Sequence, residues 1–345
     1  MCLHLKFFTV LLLLSVVIVH TLVKEVGAQD FYKGKQIRMI VGFSPGGGLD
    51  AYSRAIARHI GKHLPGNPVA TVENMPGAGS LIAANHVYNV AKPDGLTIGN
   101  FHGGVLMGQL LGRPGVQFTA SKFEYVGTPA REVNVCALTK ASGITSIDKW
   151  LESRTPVKLG SSGPGTGTHD HPKVLQTALR LPIQLVSGYK GTADIRLAAE
   201  SGEVAGGCWG WPSIKATWSK GLESAEVMVV LQMRSKPYAD FPQVPLAIDL
   251  AKTDEARQLI QAGIHDVSEI TYTYALPPGT PKEQVRMLRK AFEDTLTDPT
   301  FLAEAEKSKL YIDPVKGEDF EKTVARLFTV NPAVLAKLKE ILVSN

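Results

Sequence analysis

Two glycine-rich loops contain the residues whose types and spacing could do chemistry. The first, residues 44–48, reads Ser-Pro-Gly-Gly-Gly and follows a strand-like apolar run. The second, residues 161–169, reads Ser-Ser-Gly-Pro-Gly-Thr-Gly-Thr-His and also follows a strand-like run. An amphipathic helix is predicted directly after each loop. The first amides of a helix have no intrahelical partner, and the helix dipole adds partial positive charge there, so the predicted ligand is an anion.

Hydroxyl and imidazole side chains complete the predicted anion site. The hydroxyls of the second loop can donate hydrogen bonds to a carboxylate. Hydrogen bonds to a charged partner contribute about 1.5–3 kcal/mol each, so a few donors suffice and no arginine is required. Asp50, in the first turn of the first helix, is predicted to accept amides of the glycine loop and hold its shape. The predicted ligand-binding residues are Ser44, Gly46, Gly47, Gly48, His102, Gly103, Ser161, Ser162, Gly165, Thr166, Thr168, His169 and Trp209, with Asp50 and Lys190 in supporting roles.

Two neighbouring histidines, His169 and His171, also invite a metal-binding interpretation. A zinc site needs more protein ligands than this pair provides, and no further ligand is evident nearby. We therefore expect no metal and no cofactor, with His169 capping or lining a cleft and His171 in solvent. Trp209 and Trp211 are expected either to stack on an apolar ligand body or to pack at a hinge.

An enzyme is the competing class of protein. The first loop lacks the G-x-G-x-x-G spacing of a dinucleotide site, and no G-x-S-x-G nucleophile elbow occurs in the sequence. No serine or cysteine has an evident base partner. A secreted α/β hydrolase acting on a small anionic substrate is the alternative to a binding protein.

The first 28 residues predict an exported protein. Lys6 precedes the apolar segment 7–19, and small residues before position 29 are typical of a signal-peptidase site, so cleavage is expected near Ala28. The apolar segment is shorter than the roughly 20 residues that span a bilayer, and an uncleaved N-terminal anchor is the alternative. The formal net charge of the chain is only +5, and basic residues do not cluster, which argues against nucleic acid as a partner.

Cys136 and Cys208 remain after removal of the leader, both in apolar, strand-like sequence. Two cysteines in an oxidising compartment could form a disulfide. The simpler expectation is two separate buried thiols, because geometry rather than number decides whether a bridge forms.

The elements that position the loops are short apolar strands alternating with amphipathic helices. Strands are predicted to end in glycine-containing loops at residues 43–48, 74–80 and 101–104. In open α/β sheets, ligands bind outside the carboxyl ends of the strands. The pattern therefore predicts two similar α/β lobes that face each other across a ligand site.

Several motifs resemble the substrate-binding proteins of tripartite tricarboxylate transporters, also called Bug receptors. In the N-terminal part these motifs are residues 41–50, 72–79 and 93–97, and in the centre they are residues 161–169 and 189–191. Their order and spacing agree with the family over most of the mature chain. Two departures, at residues 170–172 and 209–211, leave the identity of the ligand open.

The resemblance implies a periplasmic binding protein fold of type II, in which two α/β lobes joined by two crossover strands close like a Venus flytrap. Lobe 1 would comprise residues 29–127 and 228–345, and lobe 2 residues 128–227. The resemblance further implies a receptor rather than an enzyme. It would capture a small organic acid in the periplasm, largely by main-chain amides, and deliver it to the integral membrane subunits of a transporter. We expect the receptor to be a monomer.

Overall fold

The computed structural model describes residues 31–343. The predicted leader, its cleavage site and the alternative anchor lie outside these residues. Within residues 31–343, no helix is long and apolar enough to span a membrane.

Eleven strands in the described chain form two separate sheets. The strands are β1 (Gln36–Val41), β2 (Val69–Asn74), β3 (Thr97–His102), β4 (Glu124–Thr128), β5 (Asn134–Thr139), β6 (Val157–Ser161), β7 (Ile183–Ser187), β8 (Gly206–Gly210), β9 (Val227–Gln232), β10 (Tyr272–Leu276) and β11 (Val315–Lys316). The first sheet has the order β11-β4-β10-β3-β1-β2, and the second has the order β7-β6-β8-β5-β9.

Helices connect the strands and cover the sheets. They are α1 (Gly48–Ile60), α2 (Leu81–Asn89), α3 (Gly104–Leu110), α4 (Ile147–Leu151), α5 (Gly167–Leu179), α6 (Thr192–Glu200), α7 (Trp211–Thr217), α8 (Ser219–Glu223), α9 (Asp254–Ile260), α10 (Asp266–Ser268), α11 (Lys282–Thr297), α12 (Pro299–Lys307), α13 (Gly317–Leu327) and α14 (Pro332–Val343). A π-helical turn, Gln261–His265, joins α9 to α10.

The parallel strands place both glycine-rich loops at carboxyl ends. β1 pairs in parallel with β2 and β3, and β6 pairs in parallel with β7 and β8. Every residue of β3 is buried, as expected for a strand whose sheet is covered on both faces. Helix α1 buries Tyr52, Ile56 and Ile60 on one face, because residues four apart lie on the same side of a helix. The loops that follow β1 and β6 therefore begin directly at the carboxyl ends of these strands, and each loop faces the other sheet.

Three features bear on the predicted division into lobes. The chain passes from the first sheet to the second between β4 and β5. Strand β9 pairs with β5 in the second sheet, so the predicted boundary between residues 227 and 228 falls at the start of a strand of that sheet. The C-terminal helix α14 packs on α5 and α9. The exact lobe boundaries stay a prediction.

The two cysteines of the described chain form a disulfide. Cys136 on β5 lies directly opposite Cys208 on the antiparallel strand β8. Opposed residues of neighbouring strands bring their Cβ atoms within reach of a bridge. The expectation of two separate thiols is therefore wrong.

Candidate functional site

A cavity lies between the two sheets, where the loops after β1, β3 and β6 meet. Together with its opening, the cavity encloses about 470 Å³ of empty space. It is lined by Phe43, Gly47, Gly48, Leu49, His102, Glu132, Asn134, Ser162, Thr166, Gly167, Thr168, Thr192, Trp209, Gly210, Ser213, Thr271 and Tyr272.

The structure brings part of the predicted site together at this cavity. The predicted ligand-binding residues that line it are Gly47, Gly48, His102, Ser162, Thr166, Thr168 and Trp209. The others, which lie in or beside the same loops and are absent from the lining, are Ser44, Gly46, Gly103, Ser161, Gly165 and His169.

The first loop is held in shape by Asp50. Gly46 has a φ of +85°, which glycine adopts without strain, and its amide donates to Asp50 Oδ2 at 2.9 Å. Asp50 also accepts hydrogen bonds from Arg54 Nε and Asn74 Nδ2, both at 2.8 Å. Burial raises the pKa of the Asp50 carboxyl, but these hydrogen bonds outweigh burial and hold its pKa below the usual value. The Gly46 amide therefore supports the loop instead of facing a ligand.

The first turn of α1 faces the cavity through Gly47 and Gly48. Gly47 is the N-cap residue and has no side-chain cap. A Cβ atom on Gly48 would lie 2.6 Å from the Cβ atom of Ser213 on α7, across the cavity. The close approach of these two walls admits only glycine at position 48, and it leaves first-turn amides of α1 at the cavity.

Most hydroxyls of the second loop bond within the loop itself. Thr166 Oγ1 donates to the Gly163 carbonyl at 2.7 Å and lies 2.8 Å from Thr168 Oγ1. Thr168 Oγ1 accepts the Ser162 amide at 3.0 Å. Ser161 Oγ accepts the Gly163 amide at 3.2 Å. In the described chain the buried Ser162 Oγ has no hydrogen-bond partner, and Ser162 lines the cavity.

A buried carboxylate, Asp170, supports the second loop. Asp170 Oδ1 accepts the Gly165 amide at 3.2 Å and lies 2.8 Å from His169 Nδ1. Its Oδ2 accepts a hydrogen bond from Arg113 Nη2 at 2.6 Å, and both side chains of this ion pair are at most 10% exposed. Burial raises the pKa of Asp170, but the Arg113 charge and the His169 hydrogen bond together hold it below its usual value. Because Arg113 follows α3 on the side of the first sheet, this ion pair joins the two halves of the molecule.

His102 ends β3 and also bridges the two halves. The Gly104 amide donates to its Nδ1 at 3.0 Å, and the Gly167 amide donates to its Nε2 at 3.1 Å. Burial lowers the pKa of His102 to about 4, so the ring is neutral at physiological pH. A neutral imidazole has one acceptor nitrogen and can satisfy only one of these amides at a time.

His171 is buried, and the expectation that it lies in solvent is wrong. It is 1% exposed, and neither ring nitrogen has a hydrogen-bond partner among the residues that the structure describes. Burial, together with the nearby His102, lowers its pKa to about 3. The His171 side chain on α5 points into the protein, whereas His169 contacts Asp170.

Within residues 31–343, no group of three histidine, cysteine, aspartate or glutamate side chains could hold a metal ion.

Three other predicted residues use their main chain for structural contacts. The Ser44 amide donates to the Lys190 carbonyl at 3.2 Å, and Ser44 Oγ lies 3.3 Å from Asp194 Oδ2. Lys190 is exposed and reaches the first loop through its carbonyl. The Gly103 amide donates to the Thr271 carbonyl at 3.1 Å. Ser44 and Lys190 thus connect the two halves beside the cavity.

The two tryptophans have different surroundings. Trp209 lines the cavity, stacks on Trp218 with ring centroids 5.8 Å apart, and has a buried Nε1 without a partner in the described chain. Trp211 packs edge to face on Phe241 and donates its Nε1 hydrogen to Asp240 at 2.8 Å. One tryptophan is therefore available to a ligand, and the other is a packing residue.

Sequence reasoning missed the part of the cavity lining that β5 and β10 contribute. Glu132 and Asn134 reach it from the start of β5, and Thr271 and Tyr272 from the start of β10. The Tyr272 hydroxyl donates to Glu132 Oε1 at 2.8 Å. Burial raises the pKa of Glu132 to about 7, although the Tyr272 hydrogen bond acts in the opposite direction. No motif marks these residues, because β10 reaches the site only through its place in the first sheet.

Comparison with known proteins identifies the family. Residues 52–329 match the family model described as tripartite tricarboxylate transporter family receptor, and the chain belongs to this family. The family is one of receptors, which excludes the enzyme class from the assignment. A curated relative, a UPF0065 protein of Bordetella pertussis, is 26% identical over 290 residues, covering 79% of this chain and 80% of the relative.

Solved structures show the same fold. The periplasmic binding protein BugD has a TM-score of 0.71 at 21% identity, covering 90% of this chain and 99% of that chain. An R. palustris protein solved with adipate has a TM-score of 0.68 at 22% identity, covering 88% of this chain and 97% of that chain. The predicted fold, a two-lobed α/β periplasmic binding protein, is confirmed.

Proposed function

We propose that this protein is a solute-binding receptor that captures a small organic carboxylate in the cavity between the sheets. The observation that carries the proposal is the convergence of two helix N-termini, those of α1 and α5, on one cavity. First-turn amides and the positive end of the helix dipole favour an anion at such a position. The adipate bound by the related R. palustris protein supports the same ligand class.

Neutral donors are sufficient to hold the carboxylate. The described lining of the cavity contains no lysine and no arginine. Ser162 Oγ and Trp209 Nε1 are buried donors without partners among the residues that the structure describes, and a ligand oxygen would satisfy them. Hydrogen bonds to a charged group contribute about 1.5–3 kcal/mol each, so a few of them, less the cost of association, are compatible with micromolar affinity.

The contacts between the two halves describe a closed receptor. Three pairs join the halves beside the cavity: Ser44 with Lys190, His102 with Gly167, and Arg113 with Asp170. A ligand larger than water must enter while these contacts are open. We propose that the ligand stabilises the closed form and that the integral membrane subunits of a tripartite tricarboxylate-type transporter bind this form.

We further propose that the protein works in the periplasm after cleavage of its leader near Ala28. Its family supports this location, because a receptor must meet its ligand before the transporter does. Sequencing the N-terminus of the exported protein would test the cleavage site, and a mature protein that begins at Met1 would contradict it.

Thermal unfolding of the mature protein with a panel of ligands tests the proposed function. The panel contains mono-, di- and tricarboxylates, amino acids and neutral sugars. A ligand at a hundred times its dissociation constant adds about 2.7 kcal/mol to the free energy of unfolding. We expect at least one carboxylate to raise the melting temperature. Stabilisation by a neutral sugar, with none by any carboxylate, would overturn the proposal.

A further inference from the structure

We infer that the ligand carries an ammonium group as well as a carboxylate, and that Glu132 and Asn134 bind this ammonium. The inference rests on the proposed function and narrows its ligand class. It starts from the chemistry of the cavity lining, which contains two oxygen acceptors, Glu132 and Asn134, besides the helix N-termini and neutral donors that suit a carboxylate.

Glu132 is the acidic residue of the described lining. It is half-buried, and its Oε1 accepts the Tyr272 hydroxyl. Its carboxylate lies so close to Gly210 that a Cβ atom on this residue would overlap it. The glycine therefore makes room for a carboxylate at the cavity wall. No ion pair involves Glu132 in the part of the chain that the structure describes.

Asn134, two residues further along the same segment, presents a second acceptor. Its Nδ2 donates to Ser268 Oγ at 2.6 Å. Ser268 donates its own hydroxyl hydrogen to the Ile264 carbonyl at 2.5 Å, so it can only accept from Asn134. This chain of hydrogen bonds fixes the orientation of the amide. Asn134 Oδ1 is consequently an acceptor, and it is buried without a partner among residues 31–343.

The groups that face Glu132 are neutral near pH 7. Tyr272 contacts it directly, and Tyr52 on α1 packs against Tyr272 with the two rings tilted; the pKa values of both tyrosines lie well above their usual value, chiefly because of burial. Across the cavity, His102 is neutral because burial lowers its pKa to about 4. Arg131, the neighbour of Glu132 in sequence, pairs with Asp313. An ionised Glu132 in the closed cavity therefore lacks a counter-charge from these protein groups.

The acceptor groups of Glu132 and Asn134 favour some organic acids over others as ligands. A second carboxylate placed against an ionised Glu132 would meet a like charge in a poorly solvated site. An ammonium group would neutralise Glu132 and donate to Asn134 Oδ1, and such charge-assisted hydrogen bonds are stronger than neutral ones. A carboxylate at the helix N-termini and an ammonium at Glu132 together match the charge distribution of the cavity. The stacked Trp209 lies in the same cavity and offers an apolar surface to the body of the ligand.

Matched ligand pairs that differ only in the amino group test the inference. Suitable pairs are phenylalanine and 3-phenylpropionate, leucine and 4-methylpentanoate, aspartate and succinate, and 6-aminohexanoate and hexanoate. Titration calorimetry on the mature protein at pH 7.5 gives the dissociation constant of each. We expect at least one amino acid to bind about tenfold or more tightly than its partner, which is the usual scale for a close charge pair.

Two glutamine variants separate recognition of the ammonium group from the general effect of removing a glutamate charge. Glu132→Gln keeps the shape of the side chain but removes its charge, and we expect it to abolish most of the preference for the amino-bearing ligand. Glu203→Gln is the matched control, since Glu203 also accepts a tyrosine hydroxyl, that of Tyr189 at 2.6 Å, but lies outside the cavity lining. We expect this control to bind like the wild type.

The outcomes are distinguishable. If no carboxylate binds at all, the proposed function fails. If carboxylates bind and the wild type shows no preference for the amino-bearing member of any pair, the inference alone is overturned. That measurement needs no variant, so misfolding of Glu132→Gln cannot obscure it. A preference that persists in Glu132→Gln would also overturn the assignment of Glu132.

Discussion

The same kind of glycine–aspartate–arginine contact stabilises both glycine-rich loops, but the arginine comes from a different part of the chain in each. In each, a glycine with positive φ donates its amide to an aspartate in the first turn of the following helix: Gly46 to Asp50 and Gly165 to Asp170. In the first loop, the arginine that pairs with the aspartate is Arg54, four residues along the same helix. In the second loop it is Arg113, which reaches across from the other half of the molecule.

This difference indicates how the two loops depend on closure. The partners of Asp50, namely Gly46, Arg54 and Asn74, all lie in its own half, so these contacts can hold the first loop when the halves separate. The second loop loses its arginine when they separate, because Arg113 belongs to the opposite half. We infer that α1 presents a preformed anion site and that the site at α5 is completed as the receptor closes.

Replacing the two arginines should give the largest contrast. In Arg113→Met, Asp170 becomes a buried carboxylate without its cation, and breaking a buried pair in this way costs about 3–5 kcal/mol. In the matched variant Arg54→Met the loss should be about 1 kcal/mol, since Arg54 is 42% exposed and exposed pairs contribute little. Urea unfolding of both variants at pH 7 measures the difference, and equal losses would mean that the second loop does not depend on Arg113.

Lowering the pH should decrease the free energy of unfolding, because the buried His171 on α5, the helix after the second loop, resists protonation in the folded state. The folded-state pKa of His171 is about 3, whereas an unfolded histidine titrates near 6.5. The unfolded chain therefore binds the proton first, and stability that is present above pH 6.5 is lost as the pH falls. In His171→Met this site cannot titrate, so we expect the decline in unfolding free energy between pH 6.5 and 4.5 to be smaller, by up to about 2–3 kcal/mol. An unchanged pH profile would show that His171 titrates normally in the fold.

A methyl group on Gly48 tests the closure of the first loop. In Gly48→Ala the added Cβ atom would meet Ser213 across the cavity, and overpacking of this kind costs about 1–3 kcal/mol. If closure is coupled to binding, as we propose, affinity for a carboxylate should fall roughly ten- to hundredfold while the free protein stays folded. The second-site change Ser213→Gly removes the clash and should restore binding. Calorimetry on the single and double variants measures both effects, and failure of Ser213→Gly to rescue would exclude a clash as the cause.

Ionisation of Glu132 should give the smallest change in the free energy of unfolding. Its pH dependence is opposite to that of His171. Its folded-state pKa of about 7 lies above the value of an unfolded glutamate, so its favourable contribution is complete below about pH 4.5 and is lost as the pH rises through 7. Because the side chain is only half-buried at a cavity, we expect a loss of about 1–2 kcal/mol between pH 5 and 8. The variant Glu132→Gln should lack this loss, and Glu203→Gln should retain it. Urea unfolding at both pH values measures it, and the same loss in all three proteins would place its origin elsewhere.

The cavity residues of the glycine-rich loops were largely predictable from sequence, and those contributed by the starts of β5 and β10 were not. A glycine-rich loop between a strand and a helix indicates a helix N-terminus wherever it occurs, so Gly47, Gly48 and Thr168 could be placed at the site in advance. Glu132 and Tyr272 are separated by 140 residues and meet only because β10 inserts antiparallel between β3 and β4. No spacing of residues along the sequence predicts this contact.

Some individual predictions depended on details that local patterns do not contain. Gly46 and Gly165 lie in the predicted loops, yet their amides are directed to aspartates rather than into the cavity. Cys136 and Cys208 form a bridge because β5 and β8 are paired in one particular register. A shift of one residue would turn the two side chains to opposite faces of the sheet.

The sequence by itself determined the alternation of strands and helices, the positions of the glycine-rich loops and the family. These properties depend on hydrophobic periodicity, glycine placement and short motifs, all of which operate over a few residues. Only the tertiary structure decided the pairing of Arg113 with Asp170, the burial of His171 and the place of Glu132 in the cavity wall. These depend on which distant segments pack together, since the energy of a charge is set by the groups and solvent around it and not by its neighbours along the chain.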